Sequence, residues 1–278
     1  MLKIFLINLD SRPDRLAYVS KQLDELGLDF IRISAVVGKN LNLEEQQLFD
    51  KRGFILEQKK ELVLGEIGCA MSHRLIWQKM LDENIDHALI LEDDVNIDKY
   101  LVDFLKKTIH YREFDFLNLS FTKPYELNEQ ALHFLQQNGI TERPKLWQSR
   151  KIWKKIESKN GFRIFKLYFF KKFTLCECDF APSLGSGYIV SKLGAEHFLQ
   201  ASNMMTFPID LTWRFSAGLL RQGFVSNVLI EQCLDTDIKG RYVGYKLTPL
   251  QKLQRIFKKS RFLKRRIAVL KMYGLEKM

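Results

Sequence analysis

An apolar run that halts on three consecutive carboxylates, Ala88-Leu89-Ile90-Leu91-Glu92-Asp93-Asp94-Val95, constrains this chain more than any other stretch. It reads as a buried strand that delivers acids to one point at its end. Three adjacent like charges repel, so a fold that gathers them needs a counter-cation, and carboxylate oxygens favour Mg²⁺ or Mn²⁺. A cation so held would in turn hold a diphosphate. The competing reading is an acidic turn with no ligand, and the flanking sequence has to decide between them.

The flanks alternate between two periodicities. Lys3 to Leu9 is a short apolar strand followed by a polar loop in which Ser11 suits a helix cap and Pro13 a first helical turn. Leu16, Val19, Leu23 and Leu26 recur at helical spacing until Gly27 stops them, and Asp29 to Val36 reads as a second strand. A strand, helix, strand unit of this kind opens a parallel α/β sheet. A polar helical stretch around Leu43 to Arg52 comes next, then a helix from the Gly65 region to about Glu83. The His87 to Leu91 strand, a helix over Lys99 to Thr108 and a strand over Phe114 to Leu119 continue the alternation. Trp147 to Lys172 is basic and aromatic and reads as an inserted loop or hairpin. Regular structure resumes at Gly185-Ser186-Gly187-Tyr188, a small-residue turn entering a strand, with a helix over Lys192 to Ala201.

At 278 residues and 46% hydrophobic content the chain has ample material for a core, which excludes global disorder. No apolar run approaches the roughly 18 to 20 residues that span a bilayer, and Met1 to Leu9 is too short and too soon polar for a signal peptide. The expectation is an intracellular protein. Cys69, Cys176, Cys178 and Cys233 form neither a disulfide framework nor a four-ligand zinc pattern, so buried or incidental thiols are the default. The net charge of +11 is concentrated: residues 143–172 carry +10 and residues 251–278 carry +9, leaving −8 on the remainder. Two basic segments on an acidic body suit attachment to an anionic surface.

In order along the chain, Ile7-Asn8-Leu9 with Arg12 and Arg15, then Gly65-Glu66-Ile67-Gly68-Cys69-Ala70-Met71-Ser72-His73, then Leu91-Glu92-Asp93-Asp94-Val95, then Gly185-Ser186-Gly187-Tyr188, then Pro208-Ile209-Asp210 resemble glycosyltransferase family 25, which includes bacterial lipopolysaccharide and lipooligosaccharide galactosyltransferases. The match covers about residues 3 to 235. The resemblance implies a GT-A-like nucleotide-diphospho-sugar transferase fold, a mostly parallel sheet flanked by helices, with a sugar-nucleotide donor and a divalent metal. On that basis residues 1–240 form the transferase domain, with a basic insertion at about 143–173, and 241–278 a basic amphipathic segment.

Loss of a nucleoside diphosphate requires neutralising charge on the β-phosphate, which a carboxylate-held cation does as a Lewis acid. Asp94 is the first choice for metal contact and Asp93 the second. Glu92 and Asp93 also suit ribose contact, and the alternative is that one acid ligates while the others cap a helix. By resemblance the loop carrying Asn8, Leu9, Arg12 and Arg15 holds part of the nucleotide. Read alone, the two arginines would pair with Asp10 and Asp14. Glu66, Ser72 and His73 are donor-site residues by resemblance, and Gly187 lines the donor sugar. Cys69 and His73 share a helix face, but a Cys-x₃-His pair lacks two zinc ligands, so core packing is the expectation for Cys69. Asp210 suits the general base that takes the acceptor hydroxyl proton, with helix capping as the alternative. Trp213 would either stack on a sugar or lie buried.

From Leu253 to Leu270 aliphatic and aromatic residues alternate with cations, a basic amphipathic pattern suited to an anionic membrane. A nucleic-acid arm and a solvated tail are the rivals, and the acidic remainder counts against nucleic acid. The resulting expectation is a metal-dependent inverting hexosyltransferase, peripheral on the cytoplasmic face of a bacterial inner membrane. It would move galactose from UDP-galactose, in a β-1,4-type linkage, onto lipooligosaccharide or lipopolysaccharide. Glucose is the alternative sugar, and a non-catalytic sugar- or phosphate-binding protein the alternative class.

Overall fold

The computed structural model describes residues 2–42, 47–107, 109–120, 127–157, 162–233, 238, 244–257 and 260–278. Its centre is an eight-stranded mixed sheet in the order β2-β1-β3-β8-β5-β9-β7-β6. The strands are β1 (Lys3–Asn8), β2 (Ile31–Ser34), β3 (His87–Glu92), β5 (Phe116–Asn118), β6 (Ile164–Phe169), β7 (Thr174–Cys178), β8 (Gly187–Ser191) and β9 (Gln222–Val225). β1 runs parallel to β2 and β3, and β5 parallel to β9, whereas β8 enters antiparallel between β3 and β5. A separate antiparallel pair joins β4 (Val95–Ile97) to β10 (Ile230–Gln232). The α/β class is as expected, a large sheet flanked by helices, but four of its seven strand pairings are antiparallel, because β8 enters between β3 and β5 and β7 pairs antiparallel with both β9 and β6, so the sheet is mixed and not mostly parallel.

The alternation of side chains along each strand builds two apolar layers. Phe5, Ile7, Ala88, Ile90, Tyr188 and Val190 face one side, under the helices Leu64–Asp82 and Lys192–Ala201, with Trp77 and Phe198 wholly buried. Ile4, Leu6, Leu89, Leu91 and Ile189 face the other, where Val19 and Leu23 of the helix Pro13–Glu25 and Leu101 and Phe104 of Tyr100–Lys106 cover them. Each such Leu or Ile contributes about 1.5–3 kcal/mol through removal from water. Strands β1, β3 and β8 are therefore apolar on both faces, which is why their sequences read as unbroken runs.

Several boundaries differ from the sequence expectation. Ser11 does not cap the first helix: Arg12 is the N-cap, with no side-chain cap bond, while Pro13 takes the first helical position as expected. The helix expected at Leu43 to Arg52 forms later, at Lys51–Gln58, because Asp50 accepts a bond from the Gly53 amide and caps it there. Residues 43–46 lie outside the described residues. The basic stretch expected as an insertion is part of the main sheet, since β6 and β7 form its edge and Trp153 of the helix Lys151–Glu157 is buried. Burial there is offset by pairing, as Arg143 donates to Glu157 and to the Ile164 carbonyl.

The segment after residue 240 is tied to the core along one side. In the helix Ser260–Tyr273, Val269 is buried and the Tyr273 ring stacks on Phe165 with centroids 3.9 Å apart. Gly218, at φ +75°, lies so close to this helix that a Cβ would stand 2.2 Å from the Val269 nitrogen. The other side stays open: Leu250, Leu253, Leu263 and Ile267 are exposed. Lys258 and Lys259 lie outside the described residues. Among the described residues, no helix is long and apolar enough to cross a membrane.

Candidate active site

Strand pairing brings the separate motifs together. β1 and β3 are parallel and in register from Lys3↔Ala88 to Ile7↔Glu92, so the loop after Asn8 and the acids after Leu91 leave the sheet at the same edge. β8 runs antiparallel to β3, with Gly187 opposite Leu91, so the turn before β8 arrives at that edge from the other direction. The Glu92 amide donates to the Ser186 carbonyl at 2.9 Å and extends the ladder by one bond. Outside the carboxyl ends of strands is where open α/β sheets place a ligand crevice.

A cavity of about 330 Å³ opens there. Leu9, Arg15, Glu66, Ser72, His73, Glu92, Asp93, Asp94 and Asp210 all line it, as does Cys69. The glycines of the second motif make the wall: a Cβ on Gly68 would stand 2.4 Å from the Val36 carbonyl oxygen, so glycine lets the helix Leu64–Asp82 lie against the loop after β2. Ser72 locks that approach by accepting from the Val36 amide and donating to the Gly68 carbonyl, each at 2.8 Å.

The three acids have different surroundings. Asp93 faces inward, accepting from Asn8 Nδ2 at 2.7 Å and from Arg15 at 3.4 Å. Glu92 Oε1 meets His73 Nε2 at 3.1 Å, and His73 Nδ1 meets the Tyr188 hydroxyl at 2.9 Å. The Trp77 indole also donates to that hydroxyl, at 3.1 Å. An ionised carboxylate only accepts, so Nε2 carries the imidazole proton and the Tyr188 hydroxyl donates to Nδ1. Asp94 accepts from Gln232 Nε2 at 2.7 Å through Oδ2, while its Oδ1 is buried with no hydrogen-bond partner among the described residues. Burial, aided by the charge of Glu92, pushes the Asp94 carboxyl up to about 7. An unmatched carboxylate oxygen on a cavity wall beside two further acids fits a hard divalent cation, with Asp94 and Asp93 as the residues to hold it.

The remaining residues divide between the cavity and its supports. Asp210 follows Pro208 in the 3₁₀ helix Ile209–Ser216, whose N-cap is Pro208 with no side-chain cap bond. Asp210 therefore lies in the first turn rather than at the N-cap position. Its Cβ and His73 Cε1 each lie 3.9 Å from where a Gly185 Cβ would stand, so both flank the same turn. Glu66 Oε1 pairs with Lys60 at 2.5 Å. Asn8 lies behind the acids, its amide bonded to Asp93, Arg12 and Arg32.

Arg12 and Trp213 take the alternative readings, and Gly187 and Cys69 depart from expectation. Arg12 does not line the cavity and pairs with Asp14 at 2.8 Å, the alternative reading of that loop. Gly187 is not on the wall either: a Cβ there would meet Ile230 at 2.4 Å, so glycine serves the packing of β10, and the neighbouring Ser186 lines the cavity instead. Trp213 is core, 1% exposed, donating to the Ala181 and Pro182 carbonyls and stacked on Phe116. Cys69 is half-buried on the cavity wall rather than sealed in the core. Sequence reasoning also passed over Gln232, which no local pattern distinguishes, and the Ala35–Lys39 loop after β2, whose position at a strand end was the available signal.

Comparison with known proteins yields a family and a set of partial relatives. The family model described as glycosyltransferase family 25 (LPS biosynthesis protein) matches residues 1–213. A glycosyltransferase 25 family member of Aedes aegypti is 38% identical over 103 residues, 35% of this chain and 17% of that protein. Procollagen galactosyltransferase 1-A of Xenopus laevis is 32% identical over 114 residues, 39% of this chain and 18% of that protein. Procollagen galactosyltransferase 2 of Homo sapiens is 32% identical over 100 residues, 34% of this chain and 16% of that protein. The chain thus spans about a sixth of the length of these curated relatives, all of them animal proteins.

Proposed function

The chain belongs to glycosyltransferase family 25, and from that premise we propose that it transfers galactose from UDP-galactose, with inversion to a β-linkage, onto lipooligosaccharide or lipopolysaccharide. The observation that carries this reading is the buried, unpartnered Oδ1 of Asp94 on the wall of a cavity that Asp210 also lines. Galactose as the sugar draws on the names of the Xenopus and human relatives, and the acceptor on the description of the family model. Those relatives also make a procollagen peptide the rival acceptor, and glucose remains the rival sugar.

In this account Arg15 and Leu9 border the nucleotide, and Asn8 and Arg15 hold Asp93 in place. Asp94 and Asp93 would hold Mn²⁺ or Mg²⁺, which would supply charge neutralisation on the leaving diphosphate. Ser186, whose hydroxyl is buried on the same wall with no hydrogen-bond partner among the described residues, would bond a donor-sugar hydroxyl. The Asp210 carboxylate takes the proton of the acceptor hydroxyl as that oxygen bonds to the anomeric carbon. The bond from that carbon to the diphosphate oxygen breaks on the opposite side, and UDP leaves.

Peripheral attachment to an anionic membrane belongs to the same reading. Exposed Leu250, Leu253, Leu263 and Ile267 stand among exposed Lys252, Arg255, Lys264, Arg266 and Lys271, which supports contact with a negatively charged lipid surface on the cytoplasmic side. The test of the function is a donor and acceptor screen: UDP-galactose and UDP-glucose against lipooligosaccharide and a procollagen peptide, in Mn²⁺ and in EDTA. Galactose transfer to lipooligosaccharide that EDTA abolishes is the expected result. No transfer from any UDP-sugar overturns the proposal.

A further inference from the structure

At the first of the three acids, one helix face and one strand end place a thiol, an imidazole and a carboxylate in a single cluster. Cys69 and His73 are four residues apart on the helix Leu64–Asp82, so they share a face, and Glu92 ends β3 directly beside them. Cys69 Sγ lies 3.8 Å from Glu92 Oε1, His73 Nε2 lies 3.1 Å from the same oxygen, and all three ligand atoms fall within 4.8 Å of one another. Zinc bonded at about 2.3 Å to sulfur and about 2.0–2.1 Å to nitrogen and oxygen in tetrahedral geometry sets such atoms about 3.3–3.6 Å apart. The two separations to Glu92 lie within about 0.3 Å of those values, and the sulfur-to-nitrogen separation, at most 4.8 Å, has to close by no more than about 1.2 Å. All three side chains line the cavity, which leaves a fourth position open on that side.

We propose that Cys69, His73 and Glu92 form a site for Zn²⁺ or a similarly thiophilic divalent ion, separate from the hard-cation site at Asp94. The ligand chemistry divides the two, since thiolate and imidazole select zinc whereas carboxylates alone select Mn²⁺ or Mg²⁺. Binding releases one proton from the Cys69 thiol. The imidazole keeps its proton count but moves the proton from Nε2, which ligates, to Nδ1, which then donates to the Tyr188 hydroxyl at 2.9 Å. Trp77 and the stacked Tyr188 ring hold that imidazole in place. Occupancy also removes Glu92 and His73 from the donor wall, so zinc acts as an inhibitor; this consequence alone rests on the proposed transferase reading.

The test is a titration of the full chain with Co²⁺, whose bonds to thiolate give a near-ultraviolet charge-transfer band. Cys176 and Cys178 are fully buried, so Cys233 is the control thiol. The expected result is a band that saturates at one Co²⁺ per chain, is displaced by Zn²⁺, persists in Cys233→Ser and Asp94→Asn, and is lost in Cys69→Ala with its melting temperature preserved. Absence of a band in the wild-type chain, or its persistence in Cys69→Ala, overturns the proposal. Because this reading uses no UDP-sugar, it stands or falls independently of transfer. Where transfer is measured, Zn²⁺ in excess Mn²⁺ should inhibit the wild type at least several-fold more than Cys69→Ala.

Discussion

Asn8 Nδ2 and Asp93 Oδ2 lie 2.7 Å apart across the ends of two parallel strands, and this bond fixes the inner face of the acid cluster. Asn8 is 1% exposed, so its amide acts from behind the cavity wall. Truncation to alanine leaves buried Asp93 without this bond and also removes the part-buried bonds to the Arg12 carbonyl and the Arg32 guanidinium. The expected cost is about 1–3 kcal/mol of stability, with weakened UDP binding in Mn²⁺. Chemical denaturation and UDP titration check the two parts; unchanged stability would show that Asp93 is held in place without this bond.

Asp94 gives a prediction with a definite sign. Its carboxyl sits at about 7 in the folded chain against an ordinary 3.8, so in chelator the fold holds an extra proton between those values. Stability contributed by that proton is present at pH 4 and is lost as pH rises through 7. Asp94→Asn in EDTA should therefore melt several degrees higher than wild type at pH 8 and at nearly the same temperature at pH 4. An equal difference at both pH values would contradict the assignment.

Asp210 is assigned to proton removal and not to donor binding. Asp210→Asn should lower kcat by about 10²-fold while UDP affinity stays close to wild type. Turnover near normal would leave the residue without a catalytic part.

The last helix offers a separation of faces. Val269 and Tyr273 pack on the core, whereas Leu263 and Ile267 face solvent among cations. Tyr273→Ala should lower the melting temperature. Leu263→Ser with Ile267→Ser should leave it unchanged and weaken sedimentation with anionic vesicles several-fold. Vesicle binding that survives the double change would place the contact elsewhere.

Much of this arrangement was legible because its signals are local. The apolar runs of β1, β3 and β8, Pro13 at a helix start and Gly27 at its end each declare an element within a few residues. The acids, Gly68, His73 and Asp210 sit in compact motifs, and they do line or shape one cavity. What stayed hidden depends on pairing between distant segments. Gln232 reaches Asp94 only because β10 pairs with β4, a separation of 138 residues. Gly187 looked like a ligand-side glycine, yet the side chain it spares is Ile230 of that same strand. The basic 143–172 stretch read as an insertion because Lys151, Lys154, Lys155, Lys171 and Lys172 are exposed while Trp153, Ile164 and Leu167 face inward at the sheet edge.

The central claim is that Asp94 holds the cation that binds the donor diphosphate. Calorimetric titration of UDP into wild type and Asp94→Asn, each in Mn²⁺ and in EDTA, tests it most directly. EDTA should weaken wild-type binding by about tenfold or more, equivalent to roughly 1.4 kcal/mol, and Asp94→Asn should bind weakly and equally in both. Wild-type affinity that is the same with and without Mn²⁺, or Mn²⁺-dependent binding that persists in Asp94→Asn, would contradict it.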